Sequence, residues 1–286
     1  MNAPQNVVAV VFDFDDTLTD DSTTKLLEHH GIDPEEFWKG RAAALLKAGW
    51  DPTLAYLKLI LDEVGEGKRL GQLTNQRLRE FGSTLAIYPG VDALFTDLKG
   101  IAAQYQLSNP VVEFYVISGG LEEIIRGSKI ATSLNGMWGN RFWENPQFKQ
   151  IAHLQNVVTF TEKTKHLFEI NKGLVQQSRV EHYAVNKQVD RTVRRVPFKN
   201  MIYVGDGLTD VPCFSLLNAN QGIGFGVFDP KKKGSPKKAY ETLVTTHRTV
   251  TMNSPQYAED NDLGSLIRAA VAQICGRLDL ELQRAL

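Results

Sequence analysis

The amino-acid sequence predicts an α/β protein with a doubly wound parallel sheet and a helical cap inserted after its first strand. Four short apolar runs have the length and β-branched composition of buried strands. The first three runs are each followed by a polar or glycine-containing turn and then by a helical pattern, the alternation that builds such a sheet. Ligands of these sheets bind beyond the carboxyl ends of the strands, so functional residues are expected there.

The first predicted strand covers residues 7–14 and ends in acidic side chains. Its apolar residues do not alternate with polar ones, which is typical of a parallel strand buried on both faces. Similar runs predict three more strands, at residues 111–117, 201–204 and 222–227.

A long helical stretch separates the first two predicted strands. Within it, one apolar stripe consists of Leu54, Leu57, Leu61 and Val64. Pro89-Gly90 ends the stretch, and a helical pattern resumes over residues 91–98 before the second strand. We therefore predict a core of residues 1–18 and 89–286 and a separate helical cap of residues 19–88.

Three further segments carry weaker signals. Residues 128–161 show no clear period, although they contain Trp138, Phe142 and Trp143. Residues 177–197 are polar and basic, as expected of a loop or hairpin. Residues 265–286 have the apolar spacing of an amphipathic helix that packs on the core.

Composition excludes several classes of protein. The balance of 32 Lys and Arg against 33 Asp and Glu lacks the basic excess of a general nucleic-acid binder. The mean hydropathy of -0.24 and the short apolar runs argue against a membrane protein, and the first residues do not resemble a signal peptide. Cys213 and Cys275 lack metal-type spacing, so we interpret them as reduced thiols and expect a cytoplasmic protein.

Acidic residues follow the first strand in the run Asp13-Phe14-Asp15-Asp16-Thr17. Asp13 and Asp15 are separated by one residue, so they would point to the same side of a continuing strand, and a turn would let both reach one ligand. Solvated turn residues would also explain an isolated pair of this kind. The residues at the other strand ends distinguish a ligand-binding pair from solvated turn residues.

Polar residues also follow the second and third strands. The second runs into Ser118-Gly119-Gly120, where a hydroxyl and backbone N–H groups could meet a phosphate at a helix N-terminus. The third runs into Gly205-Asp206-Gly207-Leu208-Thr209-Asp210, in which Asp210 could alternatively cap a helix. Three polar strand ends in this order are much rarer by chance than any one of them.

This pattern resembles the haloacid-dehalogenase superfamily, and within it the phosphoserine-phosphatase-like enzymes with a helical cap and a Rossmann-like core. The resemblance covers most of the chain. The first family motif, Asp-x-Asp-x-Thr, is matched by Asp13, Asp15 and Thr17, and the second by Ser118. The fourth, Gly-Asp-Gly-x-x-Asp, is matched from Gly205 to Asp210.

The third family motif is a lysine on a helix before the fourth motif. Lys163, Lys165 and Lys172 all qualify. We favour Lys163 because it falls in the first turn of a helix predicted over residues 161–170. A solvated helix face is the alternative interpretation for each of the three lysines.

The resemblance implies a role for each matched residue. Mg²⁺ would be held by Asp13, Asp206 and the backbone carbonyl of Asp15, with Asp210 bound directly or through water. Asp13 would attack phosphorus to form an aspartyl-phosphate, and Asp15 would act as acid and then as base. The residues expected to hold the phosphoryl oxygens are Thr17, Ser118, Gly119 and Lys163.

The sequence therefore predicts a Mg²⁺-dependent phosphohydrolase acting on a small phosphorylated metabolite. A catalytically silent binding or regulatory protein with the same fold is an alternative, since a fold alone does not establish activity. A phosphotransferase would use the same residues. A nucleic-acid end phosphatase, using Arg191, Arg194 and Arg195, is disfavoured by the nearly neutral charge.

Overall fold

The structure, a computed structural model, describes residues 5–230, 237, 240–241 and 248–284. The strands within these residues form one seven-stranded sheet in the order β4-β3-β2-β1-β5-β6-β7. Adjacent strands are parallel, except for the antiparallel pair β3 and β4. The strands are β1 Val7–Phe12, β2 Val111–Leu121, β3 Gly136–Asn145, β4 Gln150–Asn156, β5 Met201–Gly205, β6 Ile223–Val227 and β7 Thr251–Asn253.

Helices cover both faces of the sheet. They are α1 Ser22–His29, α2 Ala43–Lys47, α3 Pro52–Asp62, α4 Asn75–Thr84, α5 Val91–Ala102, α6 Glu122–Gly127, α7 Phe160–Lys172, α8 Val211–Asn218 and α9 Asp262–Gln283. A π-helical segment, Glu36–Ala42, leads directly into α2. Among the described residues, none of the helices has the length and apolarity needed to cross a bilayer.

β1 is a central strand that is buried on both faces. It pairs in parallel with β2 on one side and with β5 on the other. Val8, Val10 and Phe12 belong to one apolar core, whereas the alternate residues of β1 belong to a second core on the opposite face. This arrangement confirms the predicted doubly wound α/β class and explains why the β1 sequence is continuously apolar.

Residues 128–161, which show no clear period in the sequence, contain two strands of the sheet. β3 extends the sheet beyond β2, and β4 pairs with β3 at the edge with two shifts of register. Trp138 and Phe142 are buried, whereas the Trp143 side chain is 40% exposed. An edge hairpin with a polar second strand and an irregular register lacks the simple alternation by which a strand is recognised.

The predicted apolar stripe on the third helix is only partly correct. Leu57 is fully buried, but Leu54 is 36% exposed, while Ala55 and Tyr56 are buried. α3 contacts both the π-helical segment and β4. A helix packed on two sides buries more than one stripe, so its period is a poor guide to its buried face.

The predictions for two further segments agree with the fold. Residues 177–197 contain only short 3₁₀ turns, as expected of a loop. The C-terminal segment is helical to Gln283, and residues 285–286 of its predicted range lie outside the described part. Cys213 and Cys275 are buried free thiols.

A glycine brings the backbones of α4 and α6 into contact. A Cβ added at Gly127 would lie 1.9 Å from the carbonyl oxygen of Arg79, and this backbone atom cannot move independently. We expect Gly127→Ala to lower the free energy of unfolding by about 3 kcal/mol. Gly100→Ala is the matched control, because a Cβ there meets nothing within 4 Å in the last turn of α5.

The control change should raise stability by about 0.5–1 kcal/mol, since alanine favours helix and restricts the unfolded chain. Urea unfolding of the two variants measures both effects. Equal stability of Gly127→Ala and the wild type would mean that α4 does not pack closely on α6.

Candidate active site

A tight turn after β1 brings two carboxylates towards one point. The N–H of Asp13 donates to the carbonyl of Val204 on β5 (2.8 Å), which continues the strand pairing by one residue. The N–H of Leu18 then donates to the carbonyl of Phe14 (2.8 Å), and Asp16 takes a positive φ of 54°. Aspartate tolerates this left-handed conformation better than most residues, so the sequence accommodates the turn.

The second strand end differs from the predicted turn. β2 continues through Ser118 and Gly119 to Leu121, with an irregular register after Ile117, and α6 begins only at Glu122. The prediction that Ser118 and Gly119 lie at a helix N-terminus, where they could meet a phosphate, is therefore wrong. Ser118 and Gly119 are presented from extended backbone, because the irregular register continues the strand past the point where the sequence suggests a turn.

The glycine after Gly119 permits contact between the first two strand ends. A Cβ added at Gly120 would lie 2.4 Å from Oδ2 of Asp15. The N–H of Gly120 donates to Oγ of Ser118 (2.9 Å), while the N–H of Ser22 donates to Oδ1 of Asp15 (2.8 Å). The Asp15 carboxyl is thus held between the end of β2 and the start of α1.

The third strand end carries Asp206 and Asp210. The Asp210 carboxylate is fully buried and accepts hydrogen bonds from Tyr203 Oη (2.7 Å), Lys163 Nζ (2.7 Å) and the Gly207 N–H (3.1 Å). These bonds hold the loop after β5 in place.

Lys163 is the candidate lysine that lies beside the predicted nucleophile. Its side chain is 1% exposed, and Nζ donates to Oδ2 of Asp13 (2.9 Å) as well as to Asp210. Burial alone lowers the pKa of Lys163, but the two carboxylates outweigh it and raise the pKa above its usual value. Lys165 instead pairs with Glu162, and Lys172 donates to loop carbonyls far from Asp13.

Three carboxylates form a compact oxygen-rich cluster. One oxygen each of Asp13, Asp206 and Asp210 can be chosen so that all lie within 4.8 Å of one another. Burial and the neighbouring carboxylates raise the pKa of Asp206 well above its usual value, which is the repulsion that a bound cation relieves. Hard oxygen donors of this kind suit Mg²⁺, so the residues fit the implied metal.

The carboxyls of the first motif have unequal environments. Burial raises the pKa of Asp13 to about 6, although the Lys163 ammonium opposes the rise. Burial, together with the neighbouring Asp21 carboxylate, raises the pKa of Asp15 to about 8. At neutral pH, Asp13 is therefore mainly ionised and Asp15 is mainly protonated.

A cavity of about 290 Å³ lies over these groups. Of the predicted site residues, it is lined by Asp13, Asp15, Ser118, Gly119 and Asp206. Thr17 and Lys163 are buried next to it, and Oγ1 of Thr17 has no hydrogen-bond partner among the described residues. The structure thus brings together the predicted residues from three strand ends and α7.

Sequence reasoning missed residues that support this cavity. Tyr56 Oη, from α3, donates to the Gly119 carbonyl (2.6 Å) and accepts from Asn140 Nδ2 on β3 (2.7 Å). Asp21, Thr23 and Trp38 also line the cavity. Since these residues belong to no recognisable local pattern, no sequence signal identifies them; Tyr203, two residues before the fourth motif, could have been suspected from its position alone.

Comparison with known proteins identifies the fold. No family model matches the chain. A phosphoserine phosphatase solved as an analogue of its phospho-aspartyl intermediate covers 92% of this chain and 99% of its own, with a TM-score of 0.54 and 14% identity. A probable phosphoserine phosphatase from Vibrio cholerae covers 100% of this chain and 68% of its own, with a TM-score of 0.56 and 16% identity. The chain therefore shares the fold of these phosphoserine phosphatases.

Sequence comparison places the chain in a family with one relative. An uncharacterized protein of Borreliella burgdorferi is 30% identical over 238 residues, which span 76% of this chain and 81% of that protein. This chain belongs to the same family as the Borreliella protein.

Proposed function

We propose that this protein is a Mg²⁺-dependent phosphohydrolase that cleaves a small phosphomonoester through an aspartyl-phosphate on Asp13. One observation carries the proposal: Asp13, Asp15 and Ser118 line a single cavity, and Lys163 donates a hydrogen bond to Asp13. Carboxylates alone would repel a phosphate, so the buried lysine is the feature that a phosphate site requires. The fold supports the same class of reaction.

Asp13 is the proposed nucleophile, and Asp15 is the proposed acid and base. A carboxylate oxygen of Asp13 attacks phosphorus as the bond from phosphorus to the ester oxygen breaks, and Asp15 gives its proton to the leaving alkoxide. Asp15, now ionised, takes a proton from water while the water oxygen attacks the phosphoryl group. The bond to Asp13 breaks, and inorganic phosphate leaves.

Other groups would hold the phosphoryl oxygens. The Lys163 ammonium offsets their negative charge, while the hydroxyls of Ser118 and Thr17 can donate to them. The unpartnered Oγ1 of Thr17 supports this role, because a buried hydroxyl normally has a partner. The N–H of Gly119 is a further candidate donor.

Asp13 and Asp206 are the proposed metal ligands, together with the backbone carbonyl of Asp15 and, directly or through water, Asp210. Bound Mg²⁺ would neutralise charge between the nucleophile and the phosphate. Asp210 has a second role, since it also positions Lys163 and the loop at Gly207.

The substrate is proposed to be a small phosphorylated metabolite, which suits the size of the cavity. The cap is proposed to comprise residues 19–88, with Tyr56 contacting the end of β2. The nucleic-acid alternative loses part of its basis, because Arg195 forms an ion pair with Glu113 and is not a free surface charge. Two buried free thiols fit a reducing cytoplasm.

Phosphate release from a panel of phosphorylated metabolites tests the proposal. We expect release with Mg²⁺, loss of activity in chelator, and recovery when Mg²⁺ is restored. Ca²⁺ should support little turnover, because its larger and looser coordination misplaces the nucleophile and the phosphate. Full activity with residual metal shown to be absent would exclude the metal site.

The same panel distinguishes the alternatives. Release from no ester, with Mg²⁺ binding retained, would favour a catalytically silent protein. Transfer of the phosphoryl group to an added alcohol in preference to water would indicate a phosphotransferase.

A further inference from the structure

A second cavity, of about 410 Å³, lies beside α7. It is bounded by β3, β4 and the loop residues 178–182, and it shares no lining residue with the cavity over Asp13. Its charged or titratable lining residues include Glu122, Arg141, Lys165, His166, Glu169 and Arg179. The volume falls within the range of small-molecule sites, about 300–1,000 Å³.

Most charges in this cavity already have partners. Glu122 is buried and pairs with Arg126 (2.5 Å) and with Arg179 (3.6 Å). Lys165 pairs with Glu162 (2.5 Å). The Glu122 and Glu162 carboxylates are thus paired with other cations, so they do not compete with an incoming anion for Arg141.

Arg141 differs from these cations. It lines the cavity and is partly buried, and Nε is inaccessible to solvent and has no hydrogen-bond partner. Among the residues that the structure describes, no carboxylate lies within ion-pair distance of its guanidinium. A planar guanidinium without a partner is a ready donor for a carboxylate or phosphate.

His166 supplies a second donor. Its Nδ1 lies 2.8 Å from Oε2 of Glu169, and the two residues are only 4% and 2% exposed. Nε2 has no partner, and the ring stacks on Trp138 at 4.9 Å between centroids. When both ring nitrogens carry a proton, Nδ1 donates to Glu169 and Nε2 can donate to an anion, while the stacked indole fixes the ring.

We infer that this cavity binds an anionic metabolite through a phosphate or carboxylate group held by Arg141 and His166. The inference does not depend on the phosphohydrolase activity, because the two cavities are separate. Two buried nitrogens that lack partners in one cavity are the observation that carries it, since such atoms are normally satisfied.

The test uses inorganic phosphate and succinate as probes of the two head groups. Titrations are made on the full chain after chelator has removed any metal and has itself been dialysed away, so that the acidic cluster at Asp13 repels anions. We expect saturable binding by calorimetry and a shift of the Arg141 Nε–Hε signal in ¹H–¹⁵N spectra, assigned by its loss in Arg141→Lys. Tighter binding of phosphate would assign a phosphate ester, and tighter binding of succinate would assign a carboxylate.

Variants locate the binding. Arg141→Met and His166→Gln should each weaken binding at least about tenfold, because each removes a charge-assisted donor. Arg69→Met removes the same charge from an exposed arginine of the loop before α4 and should leave binding unchanged. If Arg141→Met fails to fold, the shift of the Arg141 Nε–Hε signal in the wild type still shows whether a probe binds at Arg141.

The inference is overturned if neither probe binds the wild type. It is equally overturned if a probe binds without moving the Arg141 signal, or if binding survives both Arg141→Met and His166→Gln.

Discussion

We expect Asp13→Asn to fold normally and to lose turnover by on the order of 10³-fold or more. The amide is neither an anionic nucleophile nor a good Mg²⁺ ligand, so the change removes both proposed roles of Asp13. Lys163 keeps its bond to Asp210, which should preserve the local fold. Phosphate release under saturating Mg²⁺ and the unfolding midpoint together measure the effect.

Asp20→Asn is the matched control, since it makes the same chemical change at an exposed residue in the same segment. Asp20 accepts a hydrogen bond from Tyr88 and does not line the cavity. Its activity should stay close to that of the wild type. Near-normal turnover by folded Asp13→Asn would rule out the aspartyl-phosphate mechanism.

Lys163→Met should be the most damaging change among the candidate lysines. It removes the buried cation between Asp13 and Asp210, and breaking a buried ion pair in this way costs about 3–5 kcal/mol. Because bound Mg²⁺ could partly replace the lost charge, unfolding by urea is measured in chelator. Turnover with Mg²⁺ should fall at least about 10²-fold, since the phosphoryl oxygens lose a charged donor.

Lys165→Met provides the comparison on the same helix. Lys165 is about one-third exposed and pairs with Glu162, so stability should change by less than about 1 kcal/mol, and phosphate release should be nearly unaffected. Lys163→Arg retains the charge and should restore part of the stability if charge, rather than shape, is what the site needs. Equal losses in the Met variants of Lys163 and Lys165 would refute a specific role for Lys163.

The raised pKa of Asp15 suits this residue to both steps of the proposed reaction, formation and hydrolysis of the aspartyl-phosphate. A carboxyl that is protonated at neutral pH can serve as the acid, and the same group can then accept a proton from water. Its position depends on Gly120, which leaves no Cβ between the end of β2 and the Asp15 carboxyl. At the second strand end, a glycine is therefore needed for packing against the Asp15 carboxyl as well as for contact with a ligand.

The cavity that holds these groups is completed by residues from distant parts of the chain. Tyr56 and Asn140 are 84 positions apart, yet both contact the carbonyl of Gly119. Through these bonds, α3 and β3 hold the end of β2 in place. If residues 19–88 form the proposed cap, substrate-selecting contacts are expected among its residues that line the cavity, which include Trp38.

The sequence by itself determined the α/β class and the three strand ends that bear Asp13, Ser118 and Asp206. A run such as residues 7–12 is continuously apolar because β1 is buried on both faces. Such a run can be recognised within one short segment of the sequence. Parallel strands end at one edge of the sheet, so the polar residues that follow them are brought together by topology alone.

Only the tertiary structure decided which lysine reaches Asp13, because Lys163 and Asp13 are 150 positions apart and α7 presents three lysines of similar local context. The packing of α7 against the sheet buries Lys163 and leaves Lys165 on the outer side. Contacts between residues far apart in the chain depend on how whole elements pack, and no pattern within one element encodes them. The edge hairpin of β3 and β4 and the partner-free nitrogen of Arg141 were hidden from the sequence for the same reason.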